Sequence, residues 1–185
     1  AVHPVHELGS VFKTFTIAQA LDMALVAPET MIAIPPSLRI SRFQIRDFEQ
    51  LNEHSTVRDV FLRNSNIGTA QISQLIGSEA QQSFFGELGL LSPHPLEKRY
   101  PTQIKQGHPS NWSNVVAATL SFGHGLTTSP LQIAGAYSSL INDGLSVQLS
   151  TAPLPRFRRR VVNTGTSETV RHLLQANVQV GAMSL

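Results

Sequence analysis

Apolar residues recur at helical spacing directly after Gly9. In SVFKTFTIAQALDMALVA, Val11, Phe15, Ala18, Leu21 and Leu25 share one broad face, which predicts a helix that starts at Ser10 and stops before Pro28. Residues 29–54 change character. Pro35-Pro36 breaks the chain, and RISRFQIRDF sets Ile40, Phe43 and Ile45 among arginines in a loose alternation that predicts a small hairpin. Thr56 opens the next helix, with Asp59 in its first turn and Val57, Val60 and Phe61 as its apolar side.

Asn64-Ser65-Asn66 interrupts that pattern with three side chains that favour caps and turns. Helices are expected over Ile67 to Ile76 and over Ser78 to Leu88, closed by Gly77 and Gly89. From Ser92 to Ser110 the composition shifts to Pro, His, Lys and Gln, which predicts a long surface loop. The best-punctuated helix follows SFGHGL at 121–126: Ser129 is its N-cap, Pro130 its first residue and Gly144 lies past its end. Residues 145–162 read as irregular or strand-like, with a basic cluster at 156–160 expected to be a solvated loop. A last helix is expected from Thr166 or Ser167 through ETVRHLLQANV. No internal repeat or low-complexity tract interrupts this helix-rich unit.

Composition narrows the function classes. The net charge of +2, with eleven arginines and three lysines, supplies no basic tract for a nucleic-acid partner. The absence of cysteine excludes disulfide scaffolds, thiol nucleophiles and thiolate metal sites. No run of about 18 apolar residues occurs, and AVHPVHELGS lacks the apolar stretch of an export signal. The 185 residues as they stand are therefore expected neither to span a membrane nor to direct their own export. Charged residues make up only 14% of the chain against roughly 25% in ordinary soluble domains, so surfaces that meet other domains are expected.

Local chemistry centres on Ser10-Val11-Phe12-Lys13. Positions i and i+3 of a helix lie about 5 to 6 Å apart, so the lysine amine can reach the serine hydroxyl. The helix N-terminus favours an alkoxide, and the flanking Val11, Phe12 and Phe15 can desolvate the amine toward the neutral form that a general base requires. Taken alone, the tetrad better describes an N-cap serine followed by an exposed lysine than a catalytic pair. His124, between two glycines, is assigned a loop-packing role, and Trp112 a place in the core or at a domain interface. The remaining histidines show no metal-ligand spacing beyond His3 and His6, which read as surface residues, so no metal site is proposed.

The longer strings GSVFKTFTIAQALD, RNSNIGTAQI and SFGHGLTTSPLQIAGAYSSLINDG, in this order and spacing, resemble the transpeptidase domain of class B penicillin-binding proteins. The resemblance is strongest to the septal peptidoglycan D,D-transpeptidases, particularly those of alphaproteobacteria. It covers most of the chain, including RVVNTGTSETVRHLL, and is poorest over 92–110 and 145–157. It implies an α+β fold, that of the penicillin-recognising serine transferases shared with β-lactamases. This chain would form mostly its helical part, with an incomplete sheet.

The resemblance assigns Ser10 as the acylated nucleophile and Lys13 as its general base. The family's second motif is Ser-x-Asn. Asn66 matches the asparagine that binds the peptide substrate, while Asn64 stands where a serine is expected. A hydroxyl both donates and accepts and so relays a proton, which an amide does poorly. Ser65 is adjacent but is expected to point elsewhere, and a turn built from Asn-Ser-Asn needs no function at all.

The third motif, Lys-Thr/Ser-Gly, does not occur; Lys98 and Lys105 are not in such a tripeptide. Asn163-Thr164-Gly165-Thr166 imitates it, but asparagine supplies no cation for a substrate carboxylate, and the residues after it read as a helix start. The expectation is a partial transpeptidase domain over residues 1–185 that lacks an N-terminal membrane anchor and pedestal and stops short of the Lys-Thr-Gly strand. The implied setting is the periplasmic face of a bacterial inner membrane at the division septum. Implied partners are peptidoglycan stem peptides, β-lactams and divisome membrane proteins, with no cofactor required. A degenerate, noncatalytic divisome-binding module is the competing reading, and a D,D-carboxypeptidase or β-lactamase-like serine hydrolase stays open among enzymes.

Overall fold

A computed structural model describes residue 7, residues 9–92, residue 107, residues 109–147 and residues 159–183. A 3-10 turn, Gly9–Phe12, runs straight into helix α1, Lys13–Asp22. Four short strands follow: β1 Met31–Ala33, β2 Leu38–Ile40, β3 Phe43–Ile45 and β4 His54–Thr56. Then come helices α2 Val57–Leu62, α3 Asn66–Ile76, α4 Ser78–Glu87, α5 Asn114–Leu120, α6 Pro130–Ile141 and α7 Thr164–Met183. The architecture is helical with a small antiparallel component, an α+β arrangement.

The amphipathic helix expected after Gly9 is instead buried on every side. Phe12 through Ala20 are all inaccessible, including Lys13, Thr14, Thr16 and Gln19. A helix surrounded by others needs no polar face, provided that its polar atoms find partners. Thr16 Oγ1 donates to the Ser121 carbonyl, and Gln19 Nε2 to that of Ala80. One side of α1 meets Ile67, Ala70 and Ile72 of α3. The other meets Phe84 and Phe85 of α4, Ala136 and Leu140 of α6 and Val170 of α7.

Helix α1 ends at Asp22, well before Pro28. The Leu25 N–H bonds to the Ala20 carbonyl and the Ala24 N–H to that of Leu21, with Ala24 at φ +53°. This is a Schellman cap with alanine where glycine is usual, which explains why no stop was visible there. The predicted hairpin forms as β2–β3, pairing Leu38 with Ile45, and nests inside a second antiparallel pair, β1–β4, in which Met31 faces Thr56. Thr56 caps α2 through a reciprocal capping box with Asp59.

Helix α5 was not foreseen; it is short, and Ser113 caps it by accepting from the Val116 N–H. Helix α6 has the expected Ser129 cap and Pro130 start, and Gln132 completes a reciprocal capping box with Ser129. Helix α7 begins two residues earlier than expected, because Asn163 caps it by accepting from the Thr166 N–H. Asp22 then ties that start to the end of α1 by accepting from the Asn163 N–H. The imitation of a Lys-Thr-Gly strand at 163–166 is thus a helix cap. Arg159 and Arg160, expected in a solvated loop, are anchored: Arg159 pairs with Glu87 at 2.6 Å, and Arg160 donates to the carbonyls of Asp143 and Val162. The rest of that cluster and most of the loop over 92–110 lie outside the described residues.

Candidate active site

Ser10 sits exposed in the 3-10 turn, one turn ahead of the buried Lys13. The turn is held from three directions. Phe12 and Phe15 pack edge-on with each other at 5.5 Å and both meet Phe85. Tyr137 of α6 places its hydroxyl 2.9 Å from the Val11 carbonyl and 2.8 Å from Thr14 Oγ1. A phenol has one proton, so it donates to Val11 and accepts from Thr14. The SFGHG loop closes the third side. Gly123 adopts φ +88°, and a Cβ there would collide with the Gly9 carbonyl, so only glycine allows this loop to lie against the residue before Ser10.

His124 stacks edge-on against Phe122 at 5.5 Å and lies 3.6 Å from Glu7, whose carboxylate also accepts from the Gly125 N–H. Trp112 donates to Gln81 Oε1 and packs on Phe85, half-buried against the core. Among the described residues no group of three or more His, Asp or Glu side chains is arranged to hold a metal ion.

Lys13 is 2% exposed, and its amine donates to the Asn64 carbonyl at 2.5 Å and to Asn64 Oδ1 at 2.7 Å. Burial pulls its pKa down to about 8, opposed by the field of Asp47, which favours the ammonium. A neutral amine has two N–H bonds and one lone pair. Asn64 accepts both, which leaves the lone pair as the one acceptor of the neutral amine.

The second motif is a turn between two helices. Asn64, at φ +59°, is the left-handed residue of a Schellman cap on α2: the Ser65 N–H reaches the Val60 carbonyl and the Asn64 N–H that of Phe61. Ser65 then caps α3, accepting from the Gly68 N–H, and is buried and turned away from Lys13. The structure therefore brings Lys13 and Asn64 together, with Ser10 one turn ahead of Lys13 in the chain. The Asn66 side chain instead donates one N–H to the Arg46 carbonyl at 3.1 Å.

Three contributors escaped sequence reasoning: Asp47, which gathers the turn residues; Tyr137; and the Gly123 contact. Each acts across more than a hundred residues or from a different element, and no local spacing marks them. Only the glycines of SFGHG gave a visible sign that close backbone approach was needed.

The sequence matches the Penicillin binding protein transpeptidase domain over residues 1–184. It is 31% identical to a probable peptidoglycan D,D-transpeptidase FtsI of Caulobacter vibrioides over 98% of this chain and 31% of that protein. It is 32% identical to a probable peptidoglycan D,D-transpeptidase PenA of Neisseria gonorrhoeae, again over 98% of this chain and 31% of that protein. The chain thus spans about a third of the length of these curated relatives. Among solved structures, penicillin binding protein 3 of Mycobacterium tuberculosis in complex with aztreonam superposes with a TM-score of 0.83 at 27% identity, over 96% of this chain and 42% of that one. A peptidoglycan glycosyltransferase from Burkholderia ambifaria gives 0.81 at 27% identity, over 94% and 56%. With the fold, the serine–lysine pair and the full-length match in agreement, the chain belongs to the penicillin-binding protein transpeptidase domain family.

Proposed function

We propose that this chain carries the acylating half of a peptidoglycan D,D-transpeptidase active site, with Ser10 as nucleophile and Lys13 as base. Ser10 Oγ bonds to the carbonyl carbon of a D-Ala-D-Ala stem peptide as its proton passes to Lys13. The C–N bond then breaks, Lys13 returns the proton to the departing D-alanine amine, and an acyl ester remains on Ser10. An amine from a neighbouring stem attacks that ester, which forms the cross-link and frees the serine. Asn66 has a second amide N–H beyond the one spent on Arg46, and this one serves the bound peptide carbonyl.

The observation that carries this reading is the two-oxygen cradle at Asn64, which accepts from a buried, partly neutralised lysine one turn from an exposed serine. β-Lactams, which present a strained amide to the same nucleophile, act as covalent inhibitors by the same route. In the cell the domain works at the periplasmic face of the inner membrane at the division septum, on an anchored protein with divisome membrane partners. No helix among the described residues is long and apolar enough to cross a membrane.

The test is labelling of the intact protein that carries this chain by a fluorescent penicillin, with Ser10→Ala as control. Labelling of the wild type and its loss in the variant are expected. An unlabelled wild type sinks the catalytic reading in favour of a noncatalytic division module, and labelling that survives Ser10→Ala sinks the nucleophile. Product analysis with an added amine acceptor then separates transpeptidation from the carboxypeptidase and β-lactamase readings, in which water attacks the acyl-enzyme.

A further inference from the structure

Asp47 lies in the loop after β3, outside all three sequence strings that carry the family resemblance. Its carboxylate converges on the Asn-Ser-Asn turn. Oδ2 accepts from Ser65 Oγ at 2.6 Å, and Oδ1 accepts from the backbone N–H groups of Asn66 at 2.5 Å and Ile67 at 2.9 Å. The preceding residue, Arg46, fixes the Asn66 side chain through its carbonyl. One loop thus ties down two of the three turn residues, and the third, Asn64, has its backbone bent into the left-handed region between them and α2. An Asn64 freed from that constraint would relax toward ordinary φ values and withdraw its two oxygens from Lys13.

We propose that Asp47 is a positioning residue for acyl transfer at Ser10: its carboxylate locks the Asn-Ser-Asn turn in the arrangement in which Asn64 presents both oxygens to Lys13. This inference rests on the serine–lysine reading above. Charged bonds of this length to buried groups are the strong kind, and an N-terminal carboxylate also suits the dipole of α3.

The same group acts on Lys13 electrically. Helix α3 carries no charged side chain, and the 3-10 turn carries none. Among residues packed around α1, α2 brings Arg58 and Asp59, α4 brings Glu79 and Glu87, and α7 brings Glu168, Arg171 and His172. Asp22 stands at the far end of α1 itself. Asp47 opposes the effect of burial on Lys13 by favouring its ammonium.

The experiment follows two readouts in the intact protein: the titration of Lys13 by NMR on isotopically labelled lysine, with its signal identified by loss in Lys13→Ala, and the rate of penicillin acylation against pH. Asp47→Asn keeps an acceptor for the backbone but removes the charge. It is expected to move the Lys13 midpoint to lower pH by about one unit and to cut the high-pH acylation plateau by about tenfold to a hundredfold. Asp47→Glu is expected to bring the midpoint back. A folded Asp47→Asn whose midpoint and plateau match the wild type overturns the proposal.

If Asp47→Asn does not fold, Ser65→Ala removes one leg of the clamp while keeping the charge. A lowered plateau with the midpoint unmoved is then expected, and an unchanged plateau overturns the proposal. A wild type that shows the Lys13 shift but takes up no penicillin would overturn the acyl-transfer reading while leaving the Asp47–Lys13 coupling intact, so the two failures are told apart.

Discussion

Lys13 carries a proton problem that sets the pH behaviour of the site. Its pKa falls from 10.5 to about 8 on burial, so the neutral base accumulates as pH rises through about 8, and acylation of Ser10 is expected to rise over the same range. Stability follows the same linkage. Between about pH 8 and 10.5 the unfolded chain binds more protons at Lys13 than the folded one, so this group's contribution to stability increases with pH across that window and is flat below it. Urea unfolding midpoints of wild type and Lys13→Met compared across that window check this: the wild type should gain on the variant as pH rises.

Asn64 answers a conformational demand as well as holding Lys13. Asparagine tolerates the left-handed region better than serine, and this position closes a Schellman cap at φ +59°. Asn64→Ser is therefore expected to cost about 1 kcal/mol of stability while restoring a hydroxyl that relays the proton to the leaving amine. Faster acylation by a D-Ala-D-Ala substrate alongside a lower unfolding midpoint is the expected pair of results. The departure of Asn64 from the family serine was legible in the sequence. Its backbone conformation was not, because that conformation depends on where α2 ends against α3.

At the scale of elements, the nucleophile turn depends on its neighbours. Gly123→Ala adds a Cβ against the Gly9 carbonyl at a φ of +88°, so the SFGHG loop or the 3-10 turn must shift. Penicillin labelling of Gly123→Ala is expected to fall by about tenfold or more, because a misplaced nucleophile loses the gain from orientation. A rate equal to that of the wild type would show that the loop does not position Ser10. Element boundaries were readable wherever side chains announced them: the Thr56 start with Asp59 in its first turn, the Ser129 cap and the Gly77 and Gly89 breaks all stand where the pattern put them. They were unreadable where backbone bonds alone did the work, as at Ala24, or where the helix was short, as at Asn114–Leu120.

At the scale of the whole molecule, low charge and an α1 buried from Lys13 to Ala20 belong together. Helix α1, which begins at Lys13 directly after the turn that holds Ser10, is the centre around which α3, α4, α6 and α7 are assembled. Periodicity revealed one apolar face and left the burial of Thr14, Thr16 and Gln19 unseen, since their partners lie on distant elements. No Lys-Thr/Ser-Gly tripeptide occurs in the 185 residues, and the family resemblance implies one on a strand that lines the cleft. A protein that carries this chain together with that strand is expected to acylate much faster than the 185 residues alone, and stopped-flow labelling of the two compares them. Equal rates would mean that the serine–lysine–asparagine cluster needs no opposing cation.

The central claim is that Ser10 is the acylated nucleophile. Mass spectrometry of the intact protein after exposure to benzylpenicillin, followed by peptide mapping, tests it most directly. The predicted result is a single added penicilloyl mass on the peptide that contains Ser10, absent in Ser10→Ala and slowed at pH values below the Lys13 midpoint. An adduct on any other residue, or none in a folded wild type, would contradict it.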